Sequence, residues 1–338
     1  MSEQVKNRVT SEDKWVKIIA PYRNGDNLHS WWQVINTFVP YVALWVLMVI
    51  SLQYSYWITI PLILLSAGFL VRLFIIFHDC GHGSFFSSKR LSETIGFIFG
   101  ILAFTPYHRW HHSHLVHHRT VGNLDKRGMG DVWTLTVDEY LALPKRKQLA
   151  YRIFRNAIVM FALGAPLLFL VGNRFTKKSF TRKDKISVYA TNAGIAILAT
   201  TLCLTIGWKA YLLIQLPVMY LASIGGGYLF YLQHQFDGTQ WDTEQDWDFK
   251  NGAPHGSSYY KLPKVLQWFS GNIGFHHIHH LSSKIPNYRL EKCHAENELF
   301  SNIKPIPFLK GFSYVHLKLW DSKAGRLIRF KDLKAVRV

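Results

Sequence analysis

The amino-acid sequence predicts an all-α membrane protein with four transmembrane helices in two hairpins. Four apolar runs are each about 20 residues long, the length that a helix needs to cross the hydrocarbon core of a bilayer. The segments between and after the two hairpins are rich in Lys and Arg, as cytoplasmic parts of membrane proteins are. We therefore expect interfacial helices and a cytoplasmic helical cap beside the four spans, and this cap carries most of the histidines.

The composition of the chain limits its possible partners. Its 338 residues are 49% apolar and carry a formal net charge of +18. Nucleic acid would match such a charge, but the basic residues flank the apolar runs, so we expect a membrane and no nucleic acid. Cys80, Cys203 and Cys293 lie far apart without a CxxC pair, which argues against a disulfide framework or a zinc ribbon. Residues 1–25 contain no apolar stretch and do not resemble a cleavable signal peptide.

The four predicted spans form two pairs. The first pair covers about residues 32–53 and 57–77, joined by a short outer turn without Lys or Arg. Arg72 is costly in lipid unless it is paired or near the interface, so the end of the second span is predicted to be cytoplasmic. The second pair covers about residues 187–206 and 210–232, around a turn that contains Gly207.

Two further apolar segments are too short or too interrupted to be clear spans. Residues 94–105 contain two glycines and end before Pro106, and residues 157–172 are interrupted by Gly164 and Pro166. Basic stretches on both sides of 157–172 place both of its flanks in the cytoplasm by the positive-inside rule. We therefore predict interfacial segments, with a fifth crossing by residues 157–172 as the alternative.

We expect residues 1–338 to form a single integral-membrane domain. The cytoplasmic cap is predicted to comprise residues 78–186 and 233–338. The topology also places both termini on the cytoplasmic side of the cell membrane.

Residues 108–118 contain six histidines, more than a core or a surface requires. Similar clusters occur before and after this stretch. The three clusters are His78 and His82; His114, His117 and His118; and His276, His279 and His280. Spacings of three and four residues place side chains near one another on a helix face. An even number of predicted crossings separates the clusters, so all three lie on one side of the membrane.

This histidine content predicts a metal site, because imidazole is a common neutral metal ligand. His234, at the end of the fourth predicted span, is a ninth candidate. Eight or nine ligands are too many for one ion and suit two. All-nitrogen ligation favours iron, zinc, copper or nickel. The single Glu-x-x-His segment, Glu291 to His294, lies outside the spans and is interpreted as chance.

Other residues near the clusters have less defined roles. Four polar residues are candidates to orient the imidazoles as a second layer around the metals: Asp79, Asn123, Asp125 and Asn272. Four more histidines are candidates for supporting, stacking or interface roles: His108, His111, His112 and His277.

A metal site at the membrane edge suggests an apolar substrate. If the metal is iron, the expected chemistry is oxygen activation and hydrogen removal from an unactivated C–H bond. A metal transporter is an alternative from a different class, although transporters usually place their ligands near the bilayer midplane.

Three motifs resemble the histidine boxes of membrane fatty acid desaturases, particularly bacterial acyl-lipid desaturases. They are His78-Asp-Cys-Gly-His82-Gly-Ser-Phe-Phe, Trp110 with His114-Leu-Val-His117-His118, and Asn272-Ile-Gly-Phe-His276-His277-Ile-His279-His280-Leu. The resemblance extends from about Trp31 to Tyr288, and it includes the segments Tyr231 to His234 and Asn123 to Gly128.

The resemblance implies two iron ions held by the nine candidate histidines, with O2 as co-substrate. The spacing from Trp110 favours His114 over His111 as a ligand. It also implies insertion of a double bond into an acyl chain, which we expect to belong to a membrane phospholipid. A hydroxylase or ketolase of alkanes, acyl chains or carotenoids remains the alternative within the same di-iron class.

The resemblance implies an external electron donor as well. The chain contains no His-Pro-Gly-Gly segment typical of a fused haem domain, so ferredoxin or flavodoxin is expected. Both are acidic and suit a basic face, which would equally attract anionic lipid headgroups. The alternative is that these Lys and Arg residues only fix the topology.

Overall fold

The computed structural model describes residues 15–23, 25–128 and 132–336. Both chain ends, predicted to be cytoplasmic, lie outside these ranges. The helices are α1 Asn27–Ser51, α2 Tyr56–His82, α3 Lys89–Leu102, α4 Tyr107–Thr120, α5 Val137–Ala142, α6 Lys145–Phe154, α7 Ala165–Leu170, α8 Arg182–Ile206, α9 Trp208–His234, α10 Phe249–His255, α11 Lys264–Phe269, α12 His276–Leu281, α13 Asn287–Ala295, α14 Phe308–Gly311 and α15 Leu333–Val336. The strands are β1 Leu135–Thr136, β2 Tyr260–Lys261, β3 Ile306–Pro307, β4 Leu319–Asp321 and β5 Arg326–Ile328.

Four of the described helices, α1, α2, α8 and α9, are long and apolar enough to cross a membrane. They correspond to the four predicted spans, and the all-α membrane fold class is confirmed. Two of them extend beyond the predicted limits toward the histidines. Helix α2 continues to His82, where Gly83 ends it with a left-handed φ of 61°. Helix α9 continues to His234. Histidines therefore occupy the last turns of two spans.

Helix α2 is central to the bundle and packs against α1, α3 and α9. Its buried Leu73, Ile76 and Phe77 form one apolar core with Met48 of α1 and Ile214 of α9. The second hairpin is very tight, because Gly207 alone separates α8 from α9 at a φ of 88°, which glycine adopts without strain.

Arg72 lies inside the apolar helix α2 and is buried. Its Nε donates to Thr37 Oγ1 at 3.1 Å, and its guanidinium lies 3.9 Å from the centre of the Trp268 ring. The guanidinium therefore has polar and aromatic partners within the protein, which lowers the cost of an arginine at this position.

The two short apolar segments adopt different forms. The first is α3, in which Gly96 and Gly100 allow Tyr107 and the Thr105 carbonyl to approach closely. The second begins with a π-helix, Ile158–Gly164, and continues into α7. It meets α6 at an angle of 62°, as a broken span or a re-entrant loop would, so four or five crossings are compatible with the described helices.

The described residues of 83–181 and 235–336, here called the cap, contain short strands as well as helices. Strands β1, β4 and β5 form one sheet, and β2 pairs with β3 in another. The parallel pair β1–β4 joins residues that are far apart in sequence, Leu135 and Leu319. This sheet ties the segment before the second hairpin to the end of the chain.

Candidate metal centre

Four segments bring histidines together at one end of the helix bundle. Helices α2 and α9 contribute the residues of their last turns, while α4 and α12 each contribute three histidines. All nine predicted ligands are buried, with exposed fractions between 0% and 8%. Nine polar imidazoles thus form one cluster in the interior of the protein.

The nine imidazoles separate into two groups. The first group is His78, His82, His114, His118 and His279. The second group is His117, His234, His276 and His280. Within each group, one ring nitrogen from every residue lies within 4.8 Å of the others. This arrangement suits two metal ions.

Close nitrogen–nitrogen contacts run through both groups. In the first group, His114 Nε2 lies 3.0 Å from His78 Nε2 and 3.0 Å from His118 Nε2. In the second group, His234 Nε2 lies 3.1 Å from the Nε2 atoms of both His117 and His276. A neutral imidazole has one N–H and one lone pair, so such convergence cannot be satisfied by hydrogen bonds alone.

The separations match those of neighbouring ligands on one ion. Metal–nitrogen bonds of about 2.1 Å at right angles place adjacent nitrogens about 3.0 Å apart. In addition, His82 Nε2 is buried and has no hydrogen-bond partner in the described part of the chain. An imidazole-only donor set suits iron among other metals. The residues therefore fit two transition-metal ions.

Burial keeps these imidazoles in the form that binds metal. Desolvation, with the neighbouring rings as a further cause, holds the pKa well below the usual 6.5 in His114, His118, His276, His279 and His280. Neutral imidazole is the ligand form, so no proton has to be displaced at neutral pH.

Aromatic rings pack beside the site. Trp110 stacks on His114 with ring centres 4.4 Å apart and an angle of 21°. Phe230 lies against His117 at 5.6 Å and against His234 at 5.5 Å. These rings limit the orientations of the neighbouring imidazoles. Phe230 was not predicted, because one aromatic residue in an apolar span gives no sequence signal.

Two groups accept hydrogen bonds from the outer nitrogens of candidate ligands. Asp79 Oδ1 lies 2.9 Å from His78 Nδ1, and the Gly256 carbonyl lies 3.1 Å from His234 Nδ1. Such contacts favour the tautomer in which the opposite Nε2 carries the lone pair that a metal binds. Asp79 was a predicted orienting residue. Gly256 was not, since a backbone carbonyl leaves no mark in the sequence.

The other three predicted orienting residues have different partners. Asn123 Oδ1 accepts from the backbone of Asp125, whose own carboxylate accepts from the backbone of Glu244. Asn272 has a φ of 56° and donates to the Asn287 carbonyl. These side chains stabilise turns beside the histidines through hydrogen bonds to nearby backbone groups.

The four additional histidines lie outside both groups. His112 Nδ1 is 2.9 Å from the Asp184 carboxylate at the start of α8. His277 is buried against His294, with 3.3 Å between ring nitrogens. Burial lowers the pKa of His108, and that of His111 to about 4. His112 thus connects α4 to α8, and His277 connects α12 to α13.

Comparison with known proteins decides the family. The fatty acid desaturase family model matches residues 55–302. The chain belongs to the fatty acid desaturase family. The chain is 44% identical to a fatty acid desaturase of Bacillus subtilis, over 95% of this chain and 92% of the relative.

More distant relatives are desaturases of lipid-bound acyl chains. An sn-1 acyl-lipid omega-3 desaturase (ferredoxin) of Nostoc is 30% identical, over 79% of this chain and 74% of the relative. An sn-1 oleoyl-lipid 12-desaturase of Anabaena variabilis is 25% identical, over 72% and 70%. This desaturase is therefore an oxidoreductase of lipid metabolism, and family membership favours an enzyme over a metal transporter.

Proposed function

We propose that this desaturase inserts a cis double bond into an acyl chain of a membrane phospholipid, using two iron ions, O2 and an external electron donor. The observation that carries the proposal is the division of nine buried histidines into two groups. The overall reaction converts –CH2–CH2– into –CH=CH–, while O2, two electrons and two protons yield two molecules of water.

The nine histidines would hold the two ions, one in each group. When bound, the irons supply the activation of oxygen that an unactivated C–H bond requires. The protein contributes a dry site, since the imidazoles are buried and Trp110 and Phe230 pack beside them. It must also hold one pair of carbons near the metals, because orientation supplies much of the rate.

Membrane lipid is the proposed source of the acyl chain. His78, His82 and His234 lie on the last turns of two membrane-spanning helices, so the site is at the edge of the apolar layer. An acyl chain in that layer reaches the site without leaving lipid. Relatives described as acyl-lipid desaturases support the same substrate class.

A separate acidic redox protein is the proposed electron donor. Relatives from Nostoc and Synechocystis carry "ferredoxin" in their descriptions, and flavodoxin has similar charge. The proposal puts the cap, the metal centre and both termini in the cytoplasm, and the basic residues that flank the spans support this side by the positive-inside rule. The net charge of +18 would attract an acidic donor.

Helix α6 is the proposed contact with anionic headgroups of the cell membrane. It begins with Lys145, Arg146 and Lys147, and it exposes Leu149 and Ile153 one turn apart. A basic helix with exposed apolar side chains suits the plane of an anionic membrane surface. Its sharp bend into the following segment favours an interfacial position over a fifth crossing.

The proposed reaction is tested with purified, iron-loaded enzyme in phospholipid vesicles. The vesicles receive reduced ferredoxin and O2, and the acyl chains are analysed by mass spectrometry. Loss of two hydrogens from phospholipid acyl chains supports the proposal. Gain of an oxygen atom identifies a hydroxylase, and product formed without a donor contradicts the proposed electron supply.

A further inference from the structure

The Asp79 carboxylate is held on both sides. One oxygen, Oδ1, lies 2.9 Å from His78 Nδ1. The other, Oδ2, accepts two hydrogen bonds from Asn287, from its backbone N–H at 2.7 Å and its side-chain Nδ2 at 2.9 Å. Asp79 and Asn287 are each only 1% exposed. Here we infer that Asn287 is a positioning residue for the metal centre, acting through Asp79 on His78.

Asn287 is itself fixed from two directions. Gln33 of α1 donates from Nε2 to Asn287 Oδ1 at 2.9 Å. Asn272, in the turn before α12, donates from Nδ2 to the Asn287 carbonyl at 3.1 Å. The first contact fixes the amide orientation, so that its Nδ2 points toward Asp79. A single residue at the start of α13 therefore connects α1, α2 and the segment that precedes the third histidine cluster.

The arrangement has a direct electrostatic reason. A buried carboxylate is stable only when donors satisfy its oxygens. The two donors from Asn287 satisfy Oδ2 and fix the plane of the Asp79 carboxylate, so that Oδ1 stays in position to accept the Nδ1–H of His78. That tautomer leaves the His78 Nε2 lone pair facing His114. Without the Asn287 amide, the carboxylate loses one donor and gains rotational freedom.

The effect should reach only one of the two metals. His78 belongs to the first group, and the second group draws its four imidazoles from α4, α9 and α12. In that group, His234 Nδ1 lies 3.1 Å from the Gly256 carbonyl. The inference rests on the proposed metal binding, and it assigns Asn287 specifically to the ion held by the first group.

The test measures iron release from the purified holoenzyme to a chromogenic chelator. The variants are Asn287→Ala and the isosteric Asn287→Asp, with Asn297→Ala as control because Asn297 bonds to the Cys293 carbonyl on the same helix. Asn287→Ala is expected to release about one of two irons 10–100-fold faster than wild type, as loss of such outer contacts typically does. The second iron keeps its wild-type rate.

The aspartate variant separates positioning from packing. It preserves shape but places a second carboxylate against Asp79, so release should be at least as fast as in Asn287→Ala. Equal acceleration of both irons, unchanged release, or a milder effect in Asn287→Asp would overturn the inference. An enzyme that desaturates no lipid but releases iron in the expected two phases would contradict the proposed function and support the role of Asn287.

Discussion

His117 Nε2 lies 3.1 Å from His234 Nε2, although the two residues are 117 positions apart in sequence. Its neighbours in α4 face elsewhere, since His114 and His118 belong to the first histidine group. Helix α12 is divided in the same way, with His279 in the first group and His276 in the second. The histidines of α4 and those of α12 are therefore each shared between the two groups, and they would hold one ion in each group.

Replacing one ligand in either group should abolish desaturation. We expect His117→Ala and His279→Ala each to lose activity at least about 100-fold while remaining in the membrane, because the apolar spans are unchanged. Activity is measured as the unsaturated fraction of membrane lipid. The exposed His316→Ala is the matched control. Wild-type turnover in either ligand variant would show that the proposed ligand set is wrong.

Because of Lys318, the stability of the folded protein should increase as the pH rises above neutral. This buried lysine has an ammonium nitrogen 5.7 Å from the Tyr231 ring, its carbonyl accepts from Tyr151, and Arg155 lies nearby. Burial, with Arg155 as a second cause, lowers the pKa of Lys318 from 10.5 to about 7. Between these values the unfolded chain binds a proton that the folded chain lacks, so stability rises with pH.

Thermal unfolding in detergent between pH 7 and pH 10 measures this effect. Lys318→Met should raise the melting temperature at pH 7 and flatten the rise toward pH 10. The exposed Lys310→Met should keep the wild-type slope. An unchanged slope in Lys318→Met would contradict the assignment.

Among the basic residues of the cap, Arg155 should be the one whose substitution lowers the free energy of unfolding most. It is fully buried, and its guanidinium donates to the Trp133 carbonyl, Thr134 Oγ1, Gln235 Oε1 and the Leu317 carbonyl. Arg155→Lys keeps the charge but cannot reach all four acceptors, and each one left unpaired costs about 1–3 kcal/mol.

Chemical denaturation of Arg155→Lys, compared with the exposed Arg146→Lys, measures this cost. Only the Arg155 variant should lose several kcal/mol of unfolding free energy. Equal stability of the two variants would show that the four contacts contribute nothing.

Two glycine-to-alanine substitutions should differ in their effect on stability. A Cβ at Gly100 would lie 2.6 Å from the Thr105 carbonyl oxygen, which cannot move independently of the backbone. Gly225 lies in α9, and a Cβ there meets no atom within 4 Å among the described residues. We expect Gly100→Ala to destabilise by about 1–3 kcal/mol and Gly225→Ala to be neutral or stabilising. The reverse order of melting temperatures would contradict this packing.

The spans were predictable because the bilayer imposes one length on every helix that crosses it. The polar ends of these helices were not predictable. His78, Asp79 and His82 end the apolar run of α2, but the helix itself continues through them. Strands of two or three residues are too short to show an alternating pattern.

The histidine clusters themselves were visible as spacings, and the structure brings all nine candidates together. The division into two groups was not visible, because a spacing of three or four residues predicts a shared face and not a shared ion. The partners of Asn287 and Arg155 depend on contacts across the whole chain. A single sequence carries no local signal for such contacts.

The iron content of the purified enzyme tests the central claim most directly. Elemental analysis should find about two irons per chain in wild type. The single variants His117→Ala and His279→Ala should each retain about one, since each removes a ligand from a different group. Wild-type enzyme with a single iron, or variants that both keep two, would contradict a centre in which two histidine groups each hold one ion.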